Sequence, residues 1–197
     1  MLRLALLSFW HVHAYDYARE AENHPGTEVV AVWDEVPTRG RAEAEERGAY
    51  FYQDLDELLS QPEIDGVIVT TPTVAHRNVI AAAARAGKHV FTEKVIAPTL
   101  LETEEIVAAA DRAGIVLFVS LPRLYAGYTR AIKEVIDGGM LGDVTYLRVR
   151  VSHDGALRTE RNPEGWLPSH FFDREEAAGG VLTDFGCHPL YLIRYFL

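Results

Sequence analysis

Five short apolar runs, Leu2–Leu7, Val29–Trp33, Gly66–Val69, His89–Phe91 and Val116–Val119, punctuate the sequence with little polar alternation, and most are rich in β-branched or aromatic residues. A strand with one wet face alternates apolar and polar side chains, so an uninterrupted run belongs to a strand covered on both faces, as in a parallel sheet. Segments with helical spacing and recognisable ends lie between the runs. Asp54 followed by Glu57 is placed to cap a short helix through Ser60, and Thr99 followed by Glu102 has capping-box spacing ahead of Ile106, Val107 and Ala110. Arg85-Ala86-Gly87 and Arg112-Ala113-Gly114 each put a glycine between a helix and the next strand, where a left-handed residue is needed.

Alternating strands and helices with short connections require right-handed crossovers, which predicts an α/β, doubly wound parallel sheet of the Rossmann type over residues 1–120. Ligands bind such sheets at the carboxyl ends of the strands. After Ser120 the rhythm changes. A helix is expected near Tyr128–Asp137, closed by Gly138-Gly139, and Asp143–His153 reads as one long, partly alternating strand. Gly155–Ser169 is turn-rich, and the tail from Gly179 reads as a loop entering an apolar helix. Residues 121–197 are therefore expected to begin a second α+β domain, partial in extent, that serves substrate binding and oligomerisation. An exposed long strand is prone to edge pairing, so dimerisation through Asp143–His153 is expected.

Charge narrows the partners. With 29 acidic and 19 basic residues the formal charge is -10, and the basic residues are not clustered, which argues against a nucleic-acid backbone as ligand. No run approaches the roughly 18 apolar residues of a membrane span, and the N-terminus is too short and too β-like for a signal peptide. The single cysteine, Cys187, excludes an internal disulfide framework and a thiolate-rich zinc site. A cytoplasmic location and no membrane partner are expected.

Several residues fall at the predicted ligand edge. Asp34 ends the second strand, where an acid accepts hydrogen bonds from an adenosine ribose and disfavours a 2′-phosphate, which points to NAD ahead of NADP; a turn or N-cap aspartate is the alternative. The first strand-to-helix turn has no glycines, since G-x-G-x-x-G spacing falls on Ser8, Trp10 and His13. A phosphate there would meet a turn rebuilt around Phe9, Trp10 and His11. The His11-Val12-His13 pair has the form that opens some metal-dependent hydrolases, but those need a full barrel of about 250 residues, so no metal is assigned. Lys94 follows the His89–Phe91 strand among apolar neighbours, where an ammonium can hold a hydroxyl or carbonyl oxygen. Asp184 and His188 are four apart and share a face if their segment is helical, a common way to orient a general base.

In this order the motifs resemble the glucose-fructose oxidoreductase / inositol dehydrogenase / MocA (Gfo/Idh/MocA) family. The resemblance rests on Thr71-Pro72 with His76, on Ala86-Gly87-Lys88-His89-Val90-Phe91-Thr92-Glu93-Lys94, on Arg123, and on Gly179-Gly180 followed by Asp184 and His188. It implies an NAD-dependent dehydrogenase acting on a sugar, polyol or related cyclic alcohol. It further implies that Lys94, Asp184 and His188 form the catalytic group, with His188 the base, and that Thr71, Pro72, His76 and Glu93 border the cofactor. Arg123 and Trp166 would line the substrate cleft. The sequence departs from the family pattern at the glycine-free turn and at Val95, where the family has proline. It also departs at Tyr191, often an acid, and in the extent of the second domain. Those departures suit an alternative, a non-catalytic relative that acts as a binding or assembly module.

Overall fold

The computed structural model describes residues 1–160, 163 and 165–197; the three remaining positions fall within the turn-rich stretch Gly155–Ser169. The chain divides into two compact units, Met1–Val119 and Ser120–Leu197.

The first unit runs β1 (Leu2–Leu7), α1 (Ala14–Asn23), β2 (Thr27–Trp33), α2 (Pro37–Arg47), β3 (Tyr50–Phe51), α3 (Leu55–Leu59), β4 (Gly66–Val69), α4 (His76–Arg85), β5 (His89–Thr92), α5 (Leu100–Ala113) and β6 (Leu117–Val119). Its six strands are all parallel, in the order β3-β2-β1-β4-β5-β6. This is the doubly wound Rossmann-type sheet, and its order reverses between β1 and β4. A reversal of this kind, with the loops after β1 and β4 on either side of it, is where doubly wound sheets take ligands. Strand β3, only two residues long, is too short to show as an apolar run.

Because neighbouring side chains on a strand point to opposite faces, each strand feeds two cores. Leu7, Val67, Val69 and Val90 pack with Leu58 of α3, Ile80 and Ala83 of α4 and Ile106 of α5. Leu6, Val32 and Ile68 face the other way, against Ala14, Ala18 and Ala21 of α1 and Ala44 of α2. Continuous apolar runs follow from cores on both faces. The expected helix ends are present: Asp54 accepts the Glu57 N–H, Thr99 and Glu102 form a reciprocal capping box, and Gly87 and Gly114 take left-handed φ of 74° and 67°.

The second unit contains α6 (Gly127–Asp137), α7 (Arg174–Ala177), α8 (Gly180–Asp184) and α9 (Cys187–Phe196). The long strand expected over Asp143–His153 is not formed: among the described residues of this unit there is no strand. A strand exists only by exchanging N–H and C=O bonds with a neighbour, and partial alternation in sequence does not supply one. Edge pairing through this segment therefore loses its basis. Among the described residues no helix is long and apolar enough to cross a membrane.

Candidate active site

The turn after β1 replaces glycine geometry with side-chain anchors. Ser8 takes a left-handed φ of 78°, the role glycine usually fills, at a cost of about 1 kcal/mol for a residue with a Cβ. Its surroundings hold it there. Ser8 N–H donates to the Trp33 carbonyl, the Thr70 hydroxyl donates to the Ser8 carbonyl, and Ser8 Oγ donates to Glu35 while accepting from the Trp10 N–H. Phe9 and Trp10, expected at the cofactor, turn inward and are 4% and 5% exposed. Phe9 packs at a tilt against Tyr15 and lies under the Arg47 guanidinium. The His11 N–H donates to the Thr70 carbonyl and the His13 N–H to His11 Nδ1. The N–H groups of Phe9, Trp10, His11 and His13 thus all have acceptors inside the protein.

Asp34 is buried at the carboxyl end of β2, and both oxygens are engaged. Oδ1 accepts from the Val36 N–H at 2.7 Å and Arg39 Nη2 at 2.8 Å; Oδ2 accepts from the Phe9 N–H at 2.9 Å and Arg39 Nε at 2.8 Å. Arg39 also reaches Glu35 at 2.7 Å. Burial works against the Arg39 charge, but the hydrogen bonds and charges of Asp34 and Glu35 prevail and raise its pKa. For Glu35, burial is the largest influence and, with the Asp34 charge, raises the carboxyl pKa despite the Ser8 hydrogen bond. Gly40 lets α2 come this close, since a Cβ there would stand 2.7 Å from the Asp34 Cβ. The turn-aspartate reading and the ligand-edge reading meet in one residue: Asp34 sits at the expected strand end, and its carboxylate ties the β1 turn to α2.

Around β4 and β5 the expected residues do come together. Thr71, His76, Glu93 and Lys94 are all 5% exposed or less, at or just beyond the carboxyl ends of the two strands. Pro72 is also buried. His76 Nδ1 lies 2.8 Å from the Val95 carbonyl and Nε2 lies 3.2 Å from the Thr71 carbonyl, so the imidazole links the two loops. Burial lowers its pKa, against the opposing hydrogen bonds to the Val95 and Thr71 backbone. The Lys94–Val95 peptide is cis. Thr71 Oγ1 and Glu93 Oε1 are buried without a hydrogen-bond partner. Glu93 Oε2 takes the Tyr17 hydroxyl and lies 3.1 Å from His13 Nδ1. Burial alone would raise the Glu93 pKa, but the His13 hydrogen bond, the His11 and His13 charges and the Tyr17 hydroxyl outweigh it, and the carboxyl is held down at about 2. Tyr17 was not anticipated. Its only sequence signal is its place one turn after His13 on α1.

In the second unit, Asp184 and His188 do not share one helix. Helix α8 ends at Asp184, Phe185 and Gly186 intervene, and α9 starts at Cys187. Gly186 is required at the break, because a Cβ there would stand 2.3 Å from the Leu182 carbonyl oxygen. His188 is buried, and its Nδ1 lies 2.8 Å from the Tyr191 hydroxyl. Burial pushes the Tyr191 phenol up to about 12, against opposing effects from the Arg123 backbone and charge, so the hydroxyl stays protonated at neutral pH. Tyr191, noted in sequence only as a missing acid, is thus the residue that orients the ring. Trp166 is 47% exposed, donates from Nε1 to Asp154 and packs at a tilt against His153, which in turn packs edge-on against Phe185. Phe185 meets His188, so Trp166 and His188 belong to one aromatic series joined through His153. Arg123 borders a cavity of about 440 Å³ with Tyr128, Ile132 and Leu192, and its Nε is buried without a hydrogen-bond partner.

Comparison with known proteins places this arrangement. The description "oxidoreductase family, NAD-binding Rossmann fold" matches residues 11–121, and "GFO/IDH/MocA C-terminal domain" matches residues 129–197. The chain belongs to the Gfo/Idh/MocA oxidoreductase family. Among the relatives of this Gfo/Idh/MocA member is 1,5-anhydro-D-fructose reductase of Ensifer adhaerens, 36% identical over 87% of this chain and 50% of the relative. Another is the scyllo-inositol 2-dehydrogenase (NAD(+)) of Bacillus subtilis, 32% identical over 100% of this chain and 54% of the relative. The chain spans about half the length of the curated relatives it matches. A structure of a putative NADPH-dependent oxidoreductase from Desulfitobacterium hafniense superposes with a TM-score of 0.83 at 22% identity, over 100% of this chain and 55% of that one, a likeness of fold.

Proposed function

We propose that this Gfo/Idh/MocA protein is an NAD-linked oxidoreductase that moves hydride between a sugar, polyol or related cyclic alcohol and the nicotinamide. The observation that carries the reading is the buried Glu93-Lys94 pair at the end of β5, with Thr71 beyond β4, inside a chain of this family. Bound NAD would supply the hydride acceptor. Thr71, Pro72, His76 and Glu93 would border it, and the buried, unbonded Thr71 Oγ1 and Glu93 Oε1 suit a polar ligand at this edge. Lys94 would hold the substrate oxygen, His188 would take the hydroxyl proton, and Asp184 would orient substrate; Tyr191 would keep the His188 ring in place. Arg123 and Trp166 would line the substrate side.

Preference for NAD over NADP draws support from Arg39. An arginine near the ribose can receive a 2′-phosphate, but this one is already clamped by Asp34 and Glu35. Isothermal calorimetry with NAD and NADP, followed by assays on inositols and aldoses, tests the reading. Binding of neither cofactor overturns it, and turnover that survives both Lys94→Ala and His188→Ala overturns the catalytic assignment. One observation favours the non-catalytic reading as the second choice: the turn N–H groups that would meet a pyrophosphate already have internal acceptors. A homo-oligomer remains part of the proposal through family membership, without the strand once expected to mediate it.

A further inference from the structure

We propose that Glu35 sets the cofactor preference: its carboxylate occupies the two donors, the Ser8 hydroxyl and Arg39 Nη2, that would otherwise receive an adenosine 2′-phosphate. The inference rests on the dinucleotide reading above and names the side chain that decides between its two cofactors. Glu35 Oε1 accepts from the Ser8 hydroxyl at 2.9 Å and from Arg39 Nη2 at 2.7 Å, and that Nη2 lies 3.5 Å from Ser8 Oγ. The three groups thus close on one another. A hydroxyl beside a guanidinium is a donor pair suited to a phosphate oxygen, and here a carboxylate oxygen of the protein already takes both. Glu35 lies two residues beyond the end of β2, at the edge where a dinucleotide-binding sheet meets the adenosine ribose.

Exposure separates the two neighbouring acids. The Asp34 side chain is 0% exposed and its oxygens are filled by four donors of the protein, so its carboxylate serves the fold. The Glu35 side chain is 30% exposed, which makes it the acid within reach of a ligand. Arg39 has no need of a second partner, because Asp34 already binds it through both oxygens. Burial, joined by the Asp34 charge, raises the Glu35 pKa despite the Ser8 hydrogen bond, so this charge is kept at a cost that the clamp does not require. Two carboxylates on one guanidinium leave one negative charge in excess. A phosphate monoester brings roughly two more and is repelled, whereas the 2′-hydroxyl of NAD can donate to the same carboxylate.

The test is calorimetric titration of the full chain and of Glu35→Ala with NAD and NADP, and with the half-cofactors 5′-AMP and adenosine 2′,5′-bisphosphate. The unmodified protein is expected to bind NAD at least tenfold more tightly than NADP. Glu35→Ala is expected to shift the ratio at least tenfold toward NADP while circular dichroism is retained, and Glu35→Gln, which keeps the shape without the charge, to shift it the same way. A side chain that only braced Arg39 would weaken both cofactors alike. NAD binding with the ratio unchanged in both variants therefore overturns the inference and leaves the dehydrogenase reading standing, whereas binding of neither cofactor to the unmodified protein overturns both. The half-cofactors decide the matter without variants: tighter binding of 5′-AMP than of the bisphosphate by the unmodified protein supports the inference, and the reverse order overturns it.

Discussion

Asp34→Asn separates a ribose ligand from a structural clamp, and the structure sets the size of the effect. The substitution keeps the side-chain shape, removes the charge and turns one oxygen into an NH₂ group. Each carboxylate oxygen receives two donors, Val36 N–H and Arg39 Nη2 on one, Phe9 N–H and Arg39 Nε on the other. Either orientation of the amide therefore points a donor at two donors. With the Asp34 side chain 0% exposed, water cannot repair the mismatch. Leaving buried donors unsatisfied costs about 1–3 kcal/mol each, and breaking a buried ion pair from one side about 3–5 kcal/mol, so a loss of about 4 kcal/mol is expected. Arg39→Ala should cost about 2 kcal/mol, because Arg39 is 25% exposed and Asp34 keeps its two backbone donors. Urea unfolding at pH 7, followed by circular dichroism, measures both. Asp34→Asn within about 1 kcal/mol of the unmodified protein, or Arg39→Ala as the costlier change, would refute the clamp. A variant of unchanged stability that had lost NAD affinity would restore Asp34 as the ribose ligand.

The other predictions concern the same unit. Glu93 has its pKa lowered from 4.5 to about 2 in the folded protein, so its contribution is fully present above pH 4.5 and is lost as pH falls toward about 2. That contribution is at most about 3 kcal/mol, and Glu93→Gln should flatten the acid limb of a stability–pH curve across this window. Gly40→Ala should destabilise by about 1–3 kcal/mol despite alanine's better helix propensity, because the new Cβ would stand 2.6 Å from the Phe51 ring and 2.7 Å from the Asp34 Cβ; a thermal melt no lower than the unmodified protein's would contradict the packing. Thr99→Ala removes the capping box of α5 and should cost about 1 kcal/mol in urea unfolding, with Thr99→Ser recovering most of it.

What the sequence by itself determined is what neighbouring residues settle among themselves. Apolar runs with little alternation specify strands buried on both faces, and Asp54, Thr99, Gly87 and Gly114 specify helix ends through contacts within four residues. The alternation of elements then pointed to a doubly wound parallel sheet, though not to its strand order, and it put the residues bordering β4 and β5 at the carboxyl ends of their strands. Asp143–His153 shows the limit of that reasoning: its pattern permits a strand, but pairing is a property of two segments. Tertiary structure alone decided the chemistry of the β1 turn. Ser8 adopts a glycine's conformation because Thr70 and Glu35, 62 and 27 residues away, hold it there. Asp34 became a clamp because Gly40 let α2 approach, and Glu93 met His13 across 80 residues of chain. Such contacts leave no periodicity or spacing in the sequence, since they depend on which loops the closed sheet brings to the same edge.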